Sequence, residues 1–320
     1  MFLEAPIRPA LVPGVTLPLI LTLAASAQAP DAVFPVSLDV VNVTVTVRDE
    51  QGRLITNLSS EELRLFEDGR QQQIALFARS VEPGEEGALA LDLGMLFDTS
   101  ESMAKSLRAS QQAAIRFLDT IPRARDLLTI FFDQDIRVSR YDSELQQGLI
   151  ERILDTKGGG NTALYDAIAV YLSRLSDGPG RRVLVVFSDG DDTTSSLTIG
   201  DVADLVRSSP VTIYPISFVK PVGSQSALAA RAFLVSLADR TGGTYFEPTT
   251  SRDLPQIYER ILDELSGQYV LGFVSDNPKR DGKYRKLRVD ALRKGLRVRC
   301  REGYVAPSLE RAADGGRGRR

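Results

Sequence analysis

The sequence contains no histidine and only one cysteine, Cys300. The absence of histidine removes the commonest general base, the usual transition-metal ligand and the side chain that titrates near neutral pH. Zinc-hydrolase and Ser-His-Asp mechanisms are therefore excluded. A single cysteine forms neither an intramolecular disulfide nor a thiolate metal site, so stability has to come from the packed core.

The chain also lacks a strong charge imbalance, because its formal net charge is -3 over 320 residues. This balance gives no general reason to expect a nucleic acid or an anionic membrane as partner. Basic residues are locally dense near the C-terminus, where Arg297, Arg299 and Arg301 alternate with apolar residues. That alternation predicts a strand with one solvated face, and aromatic residues for base stacking are missing. We therefore expect no nucleic-acid partner.

Long apolar segments are absent except at the N-terminus. There, residues 11–25 are apolar, follow Arg8 and lead into Ala25-Ser26-Ala27, a cleavage-type sequence of small residues. This pattern predicts a signal peptide over residues 1–27, cleaved near Ala27, and a mature protein that is secreted or periplasmic. The alternatives are an uncleaved N-terminal membrane anchor and a misplaced start codon.

Two short β regions enclose a longer α/β region. Residues 31–80 form a predicted β unit: residues 36–47 alternate, with a slip at Val40-Val41 that indicates a bulge, and residues 63–70 and 73–77 are typical of strand, tight turn, strand. Residues 268–306 predict further strands at 268–274 and 287–300. The ends of an α/β unit often lie close together, which favours pairing of these strands with residues 31–80. Residues 307–320 lack apolar content and predict a disordered tail.

Between these regions, residues 88–265 alternate buried apolar runs with helical periodicity. This alternation is typical of a doubly wound, mostly parallel open sheet, a Rossmann-like α/β fold. The predicted strands are 88–97, 126–132, 135–140 (a short antiparallel partner), 182–187 and 211–217, and the predicted helices are 103–120, 145–154, 163–175, 201–207, 227–241 and 253–265.

In such sheets, ligands bind beyond the carboxyl ends of the strands. Two predicted strands end there in an aspartate, Asp98 in Asp98-Thr99-Ser100-Glu101-Ser102 and Asp189 in Ser188-Asp189-Gly190, and a glycine-rich loop brings Thr162 to the start of a helix. Two carboxylates and three hydroxyls, without nitrogen or sulfur, suit Mg²⁺, Mn²⁺ or Ca²⁺ rather than zinc. The candidate metal ligands are Asp98, Ser100, Ser102, Thr162 and Asp189.

The three motifs, D-x-S-x-S, G-G-x-T and S-D-G, resemble the metal-ion-dependent adhesion site of von Willebrand factor type A domains, over roughly residues 88–265. The resemblance implies that Ser100, Ser102 and Thr162 contact the metal directly and that Asp98 and Asp189 act through water or exchange. It also implies an open metal position that accepts a carboxylate of the ligand. The Phe66-Glu67-Asp68-Gly69 and Arg301-Glu302-Gly303-Tyr304 phrases, among others, are similar to those of a bacterial family of exported proteins related to these domains.

We therefore expect a non-enzymatic, exported adhesion or scaffold module that binds a protein ligand presenting Asp or Glu, with no small-molecule substrate. One alternative is a structural envelope protein whose metal ties loops together. The other is a hydrolase using Ser102 and Lys105, an S-x-x-K pair, although the K-T-G motif of such enzymes is missing. Four further aspartates are interpreted as turn residues or as a second cation site: Asp133, Asp135, Asp191 and Asp192. The sequence does not determine the oligomeric state.

Overall fold

The computed structural model describes residues 40–79, 90–121, 124–141, 146–176, 180–217 and 225–308. The described residues do not include the predicted signal peptide, residues 36–39 of the first predicted strand, the segment 80–89 or nearly all of the predicted tail. The described residues belong to one compact unit.

The elements follow the predicted alternation. In chain order they are β1 (Val40–Arg48), β2 (Leu63–Glu67), β3 (Arg70–Gln72), β4 (Leu76–Arg79), β5 (Leu91–Asp98), α1 (Ala104–Thr120), β6 (Asp126–Phe132), β7 (Ile136–Tyr141), α2 (Gln146–Asp155), α3 (Leu164–Ser173), β8 (Arg181–Phe187), α4 (Ile199–Ser208), β9 (Val211–Ile216), α5 (Gln225–Thr241), α6 (Leu254–Gly267), β10 (Tyr269–Val274), β11 (Tyr284–Ala291), β12 (Arg297–Cys300) and β13 (Gly303–Val305).

Five strands form an open sheet in the order β7-β6-β5-β8-β9. All pairs are parallel except β6 with β7, so the predicted antiparallel edge is confirmed. Every residue of the central strand β5 is buried, as expected for a parallel sheet covered on both faces. At its carboxyl end Phe97 stacks between Phe131 and Phe187, with ring centroids 5.1 and 4.9 Å apart.

Helices cover both faces of this sheet. One hydrophobic cluster joins the sheet to α1, α2 and α6, and the other joins it to α3, α4 and α5. Gly94 allows α3 to approach β5 closely, because a Cβ on this residue would lie 2.1 Å from a ring carbon of Tyr171. The predicted doubly wound α/β architecture is confirmed.

The remaining strands form a β-sandwich of two four-stranded antiparallel sheets, β12-β1-β10-β4 and β13-β11-β2-β3. Strands from both flanks pair directly: β1 lies between β10 and β12, and β2 pairs with β11. The pairing predicted between residues 31–80 and the C-terminal strands is therefore confirmed. Val43, Val45 and Val47 point into the core between the sheets, as their alternation predicted.

Three details of the predicted β region are wrong. No bulge occurs at Val40-Val41, because β1 pairs with β10 without interruption from Val40 to Val45. The tight turn is at Asp68-Gly69, both with positive φ, and β3 forms the hairpin with β2, whereas β4 pairs with β10 in the other sheet. The short strand β13 was not predicted.

A polar cluster joins α6 to the β-sandwich. The buried carboxylate of Glu264 accepts hydrogen bonds from Arg48 at 2.7 Å, from Arg299 at 2.5 Å and from Thr244 at 3.0 Å. The face of β12 that carries Arg299 therefore meets α6, and the prediction of a solvated face is wrong for this residue. Only Gln268 separates α6 from β10, so the helix and the central region of one sheet are directly connected.

Within the described ranges, no helix is long and apolar enough to cross a bilayer. This finding does not extend to the N-terminal segment, which lies outside those ranges.

Candidate metal site

The first candidate loop begins where β5 ends, at the buried Asp98. One carboxylate oxygen, Oδ1, accepts the backbone N–H of Ser100 at 2.9 Å, which is the local turn expected for an aspartate at a strand end. The hydroxyl oxygens of Ser100 and Ser102 lie 3.1 Å apart. Ser100 is buried, whereas Ser102 is exposed, so the loop presents its hydroxyls from the interior towards the surface.

The second and third loops supply Thr162 and Asp189, both buried. The hydrogen bonds of Thr162 with described residues run through its backbone: its N–H donates to Thr193 Oγ1, and its carbonyl accepts from the N–H groups of Thr193 and Thr194. Asp189 follows β8, and its Oδ1 accepts the N–H of Asp191 at 3.2 Å.

Backbone hydrogen bonds connect the three loops. Glu101 N–H donates to Gly160 O at 3.1 Å, and Gly159 N–H donates to Thr99 O at 2.7 Å. Gly160 has a φ of +84°, a conformation that favours glycine. The first and second loops are thus held together, and Thr193 holds the second loop to the third. The five predicted ligands belong to three loops that the structure brings together at one edge of the sheet.

Burial makes the ionised form of the Asp98 carboxyl electrostatically unfavourable. Burial raises the pKa of this carboxyl from 3.8 to about 6; hydrogen bonds from Ser100 and Ser188 offset part of that effect, and the negative charge of Asp189 adds to it. The Ser188 hydroxyl donates to Asp98 Oδ2 at 2.6 Å. Among the described residues, no arginine or lysine forms an ion pair with Asp98, and a buried carboxylate without a cation is unfavourable.

The von Willebrand factor type A domain model matches residues 92–260, more than half of the 320 residues. The chain belongs to the von Willebrand factor type A family. The matched residues contain the five-stranded sheet and all five candidate ligands. Domains of this family are typically adhesion and protein-binding modules.

Three solved structures illustrate the likeness of this von Willebrand factor type A chain to known folds. They are a von Willebrand factor type A protein from Catenulispora acidiphila (12% identity, 79% of this chain and 76% of that one, TM-score 0.47), the pilus adhesin SpaC from Lactobacillus rhamnosus GG in an open conformation (9%, 82% and 48%, 0.46) and proximal thread matrix protein 1 from the mussel byssus with a zinc-occupied MIDAS motif (15%, 61% and 48%, 0.45). At these TM-scores the likeness carries no functional argument. No curated protein sequence matches the chain.

The residues fit a hard divalent cation. An octahedral Mg²⁺ with Mg–O distances of about 2.1 Å places neighbouring ligand oxygens about 3.0 Å apart. The observed 3.1 Å between the Ser100 and Ser102 hydroxyls agrees with that spacing. A cation would also neutralise the buried Asp98. No group of three or more Cys, Asp or Glu side chains suited to a metal lies among the described residues. The candidate site itself contains only two carboxylates, Asp98 and Asp189.

Of the other four aspartates, Asp133 and Asp192 bind loop groups through their side chains. Asp133 pairs with Arg137 at 2.7 Å and accepts the N–H of Asp135, and Asp192 accepts the N–H of Tyr165 and the hydroxyl of Ser195. These contacts agree with the interpretation as turn residues.

Sequence reasoning did not assign roles to Ser188 and Thr193. Ser188 hydrogen-bonds Asp98, and Thr193 fixes the backbone of Thr162. The position of Ser188, directly before Asp189 at the end of a buried strand, was the available signal. Thr193 offered none, because its partner is 31 residues away.

Proposed function

We propose that this chain is a divalent-metal-dependent protein-binding module in which Asp98, Ser100, Ser102, Thr162 and Asp189 hold one Mg²⁺, Mn²⁺ or Ca²⁺ ion. The ion would capture an acidic residue of a partner protein. The observation that carries this proposal is the buried Asp98 carboxylate, which has hydroxyls and N–H groups around it but no cation among the described residues.

The neutral and the charged candidate ligands have different roles. The neutral hydroxyls of Ser100, Ser102 and Thr162 are weak donors that leave most of a cation's charge uncompensated. Asp98 and Asp189 supply the negative charge that retains the ion, and Ser188 and the Ser100 N–H orient Asp98. When bound, the ion supplies positive charge and a coordination position that a carboxylate can fill.

A purely loop-tying metal is less well supported. The three loops are already connected by backbone and side-chain hydrogen bonds among Thr99, Glu101, Gly159, Gly160, Thr162 and Thr193. A metal is therefore not needed to hold them, and its charge remains available for recognition.

Among the described side chains, none forms a hydrogen bond that would make it the base for Ser102 in the hydrolase alternative. The hydroxyl of Ser102 contacts the hydroxyl of Ser100, which is not basic enough to activate it. The side chain of Lys105 lies outside the described residues. No histidine is present anywhere in the sequence.

We further propose the following layout for the exported protein: a signal peptide at 1–27, or an N-terminal anchor in its place, a β unit at 31–80, the metal-binding domain at 88–265, C-terminal strands at 268–306 and a C-terminal tail at 307–320. The first two residues of this tail are ordered, because Pro307 O accepts the Gly282 N–H at 3.3 Å and Ser308 forms a bridge with Asp281. Mass analysis of the mature N-terminus tests the first boundary. Gln28 is the expected first residue, and a chain that begins at Met1 after export would favour the anchor.

The metal site is tested by thermal unfolding in EDTA and in excess Mg²⁺, Mn²⁺ or Ca²⁺. A ligand at a hundredfold excess over its Kd stabilises the native state by about 2.7 kcal/mol, which for a protein of this size corresponds to a rise in Tm of about 4 to 5 °C. Thr162→Val removes one proposed ligand oxygen at nearly constant shape and should abolish the rise. Glu101→Gln removes an exposed carboxylate of the first loop and should preserve it. Equal responses of the two variants would refute the assignment.

The carboxylate preference is tested with Mn²⁺ as the probe ion. Water-proton relaxation reports the water molecules bound to Mn²⁺, and a carboxylate that replaces one of them lowers the relaxation enhancement. N-acetyl-glutamate amide should lower it in a saturable manner, whereas N-acetyl-glutamine amide should not. An identical effect of the two compounds would contradict capture of an acidic residue.

A further inference from the structure

A cavity lies at the edge of the parallel sheet opposite the candidate metal-binding loops, where the β-sandwich meets the amino-terminal ends of β8 and β9. It has a volume of about 490 Å³, and its walls include Val40, Asn42, Thr44, Arg182, Arg301 and Tyr304. No carboxylate is among its described lining residues. The cavity is therefore a basic slot with partly apolar walls.

One wall of this slot is an open strand edge. On one side, β1 pairs with β10 from Val40 to Val45. On the other side, β12 pairs with β1 only from Val45 to Arg48. Among the described residues, positions 40–44 thus have a strand neighbour on one side only. Unpaired edge groups of this kind are a template for an added strand.

The chain itself turns away from this edge after Cys300. Glu302 N–H donates to Arg240 O at 3.1 Å, and β13 then joins the other sheet of the sandwich. A segment in line with β12 would therefore continue along positions 44 to 40 of β1. The residue at the start of that line is Arg301.

Arg301 differs from three other arginines of the β-sandwich. Arg48 and Arg299 pair with Glu264, and Arg285 pairs with Glu67. Arg301 donates to two backbone carbonyls, Gly303 O at 2.6 Å and Arg207 O at 3.2 Å, and no described carboxylate forms an ion pair with it. Burial lowers the pKa of its guanidinium to about 10. A partly buried guanidinium at the edge of a cavity favours an anionic neighbour.

We propose that this slot is a strand-addition site: an extended segment of a partner protein pairs antiparallel with the open edge of β1, in line with β12, and places an acidic side chain against Arg301. Main-chain hydrogen bonds along positions 40–44 supply affinity, and Arg301 supplies the preference for an acid. The site is independent of the metal site proposed above.

Two fluorescein-labelled, amidated hexapeptides test the proposal by fluorescence anisotropy in EDTA: Thr-Asp-Thr-Val-Thr-Val and the same peptide with Asn in place of Asp. The Asp peptide should bind the full chain about tenfold more tightly, the ratio expected for a charge-assisted contact. N-methylation of alternate residues tests main-chain pairing. Methylation of the set that faces β1 should abolish binding, and methylation of the other set should preserve it.

Protein variants locate the site. Asn42 is exposed on β1, so its replacement should not disturb the core. Asn42→Asp should weaken binding of the Asp peptide, and Asn42→Lys should strengthen it. Gln71→Glu makes the same charge change as Asn42→Asp on the exposed edge strand β3 and should have no effect. Arg301→Gln should remove the preference for Asp over Asn. Asp98→Asn should leave peptide binding unchanged, which separates this test from that of the metal site.

Three outcomes would overturn the proposal. Equal binding of the Asp and Asn peptides would remove the role of Arg301, and equal effects of both N-methylated sets would exclude strand addition. Binding that appears only after deletion of residues 309–320 would show that the occupant is the chain's own tail rather than a partner.

Discussion

Asp98 and Glu264 are both 1% exposed, yet the protein surrounds them with opposite kinds of groups. Glu264, on α6, accepts from two arginines and a threonine. Asp98, at the carboxyl end of β5, accepts from a serine hydroxyl and a backbone N–H. One carboxylate is neutralised by the protein's own cations, and the other is not.

The difference separates a carboxylate that is neutralised within the protein from one that is a candidate metal ligand. Removing one member of a buried ion pair leaves the other uncompensated, so loss of Glu264 should destabilise the contact between α6 and the β-sandwich. A carboxylate buried without a cation costs free energy in the native state. That cost is recovered when an external cation binds, which makes Asp98 the group on which metal affinity should depend most.

Two other buried carboxylates follow the pattern of Glu264. Asp92 pairs with Arg125 at 2.5 Å, and Glu67 contacts Arg285 and accepts a hydrogen bond from Tyr304. Paired carboxylates therefore occur in both the parallel sheet and the sandwich. The exception at Asp98 is confined to the edge that carries the three candidate loops.

The largest expected effect is the loss of stability when Glu264 is replaced. Glu264→Ala leaves Arg48 and Arg299 facing each other without a counter-charge and should lower the free energy of unfolding by about 3 kcal/mol, measured by urea denaturation in EDTA. Asp263→Ala, an exposed neighbour on α6, should change it by less than about 0.5 kcal/mol. Metal affinity of the folded Glu264→Ala protein should match the wild type. A loss below about 1 kcal/mol would mean that the cluster is not a structural joint.

The effect of Asp98→Asn on the free energy of unfolding should have opposite signs in EDTA and in Mg²⁺. Asp98→Asn removes an uncompensated buried charge at constant shape, so in EDTA at pH 7.5 it should raise the free energy of unfolding by about 1 to 3 kcal/mol, the scale set by the upward pKa shift. In saturating Mg²⁺ the wild type should be the more stable protein, because the variant loses the ion. Urea denaturation under both conditions measures the crossover. A variant that is less stable in both conditions would contradict the contrast drawn between Asp98 and Glu264.

Local patterns were sufficient to predict the edge of the sheet that carries the candidate metal ligands. Each of the three loops follows a strand or precedes a helix with clear periodicity, and the carboxyl ends of parallel strands meet at one edge by geometry. The placement of Asp98, Thr162 and Asp189 in neighbouring loops therefore required no knowledge of long-range contacts. Their role as ligands remains a prediction.

The joint at Glu264 was not predicted, because its partners are far away in sequence: Arg48 is 216 residues distant and Arg299 is 35. A signal was nevertheless present. Ile257 and Ile261 lie on the buried face of α6, and Glu264 follows at the spacing of that face, so an acidic residue was aimed into the core. Arg299 was predicted to face solvent for the same reason, because its partner Glu264 lies 35 residues away in the sequence.

The split of residues 70–79 between two sheets had no local signal at all. Both β3 and β4 are short, and the alternation of apolar residues gives the face of a strand but not its neighbour. The sheet that each strand joins is set by its partner, β10 for β4 and β2 for β3. Both pairings depend on how the two sheets of the sandwich assemble.

The smallest expected effect on stability is that of Ser102→Ala, which should change metal affinity but not folding. Ser102 is exposed, so Ser102→Ala should change the free energy of unfolding in EDTA by less than about 0.5 kcal/mol. Its hydroxyl lies beside that of Ser100, and its loss should weaken Mn²⁺ binding about tenfold, measured by water-proton relaxation. Ser196→Ala, an exposed serine in the loop after Gly190, is the matched control and should bind Mn²⁺ normally. Unchanged affinity of Ser102→Ala would remove this hydroxyl from the ligand set and leave Asp98 to act with Ser100, Thr162 and Asp189 alone.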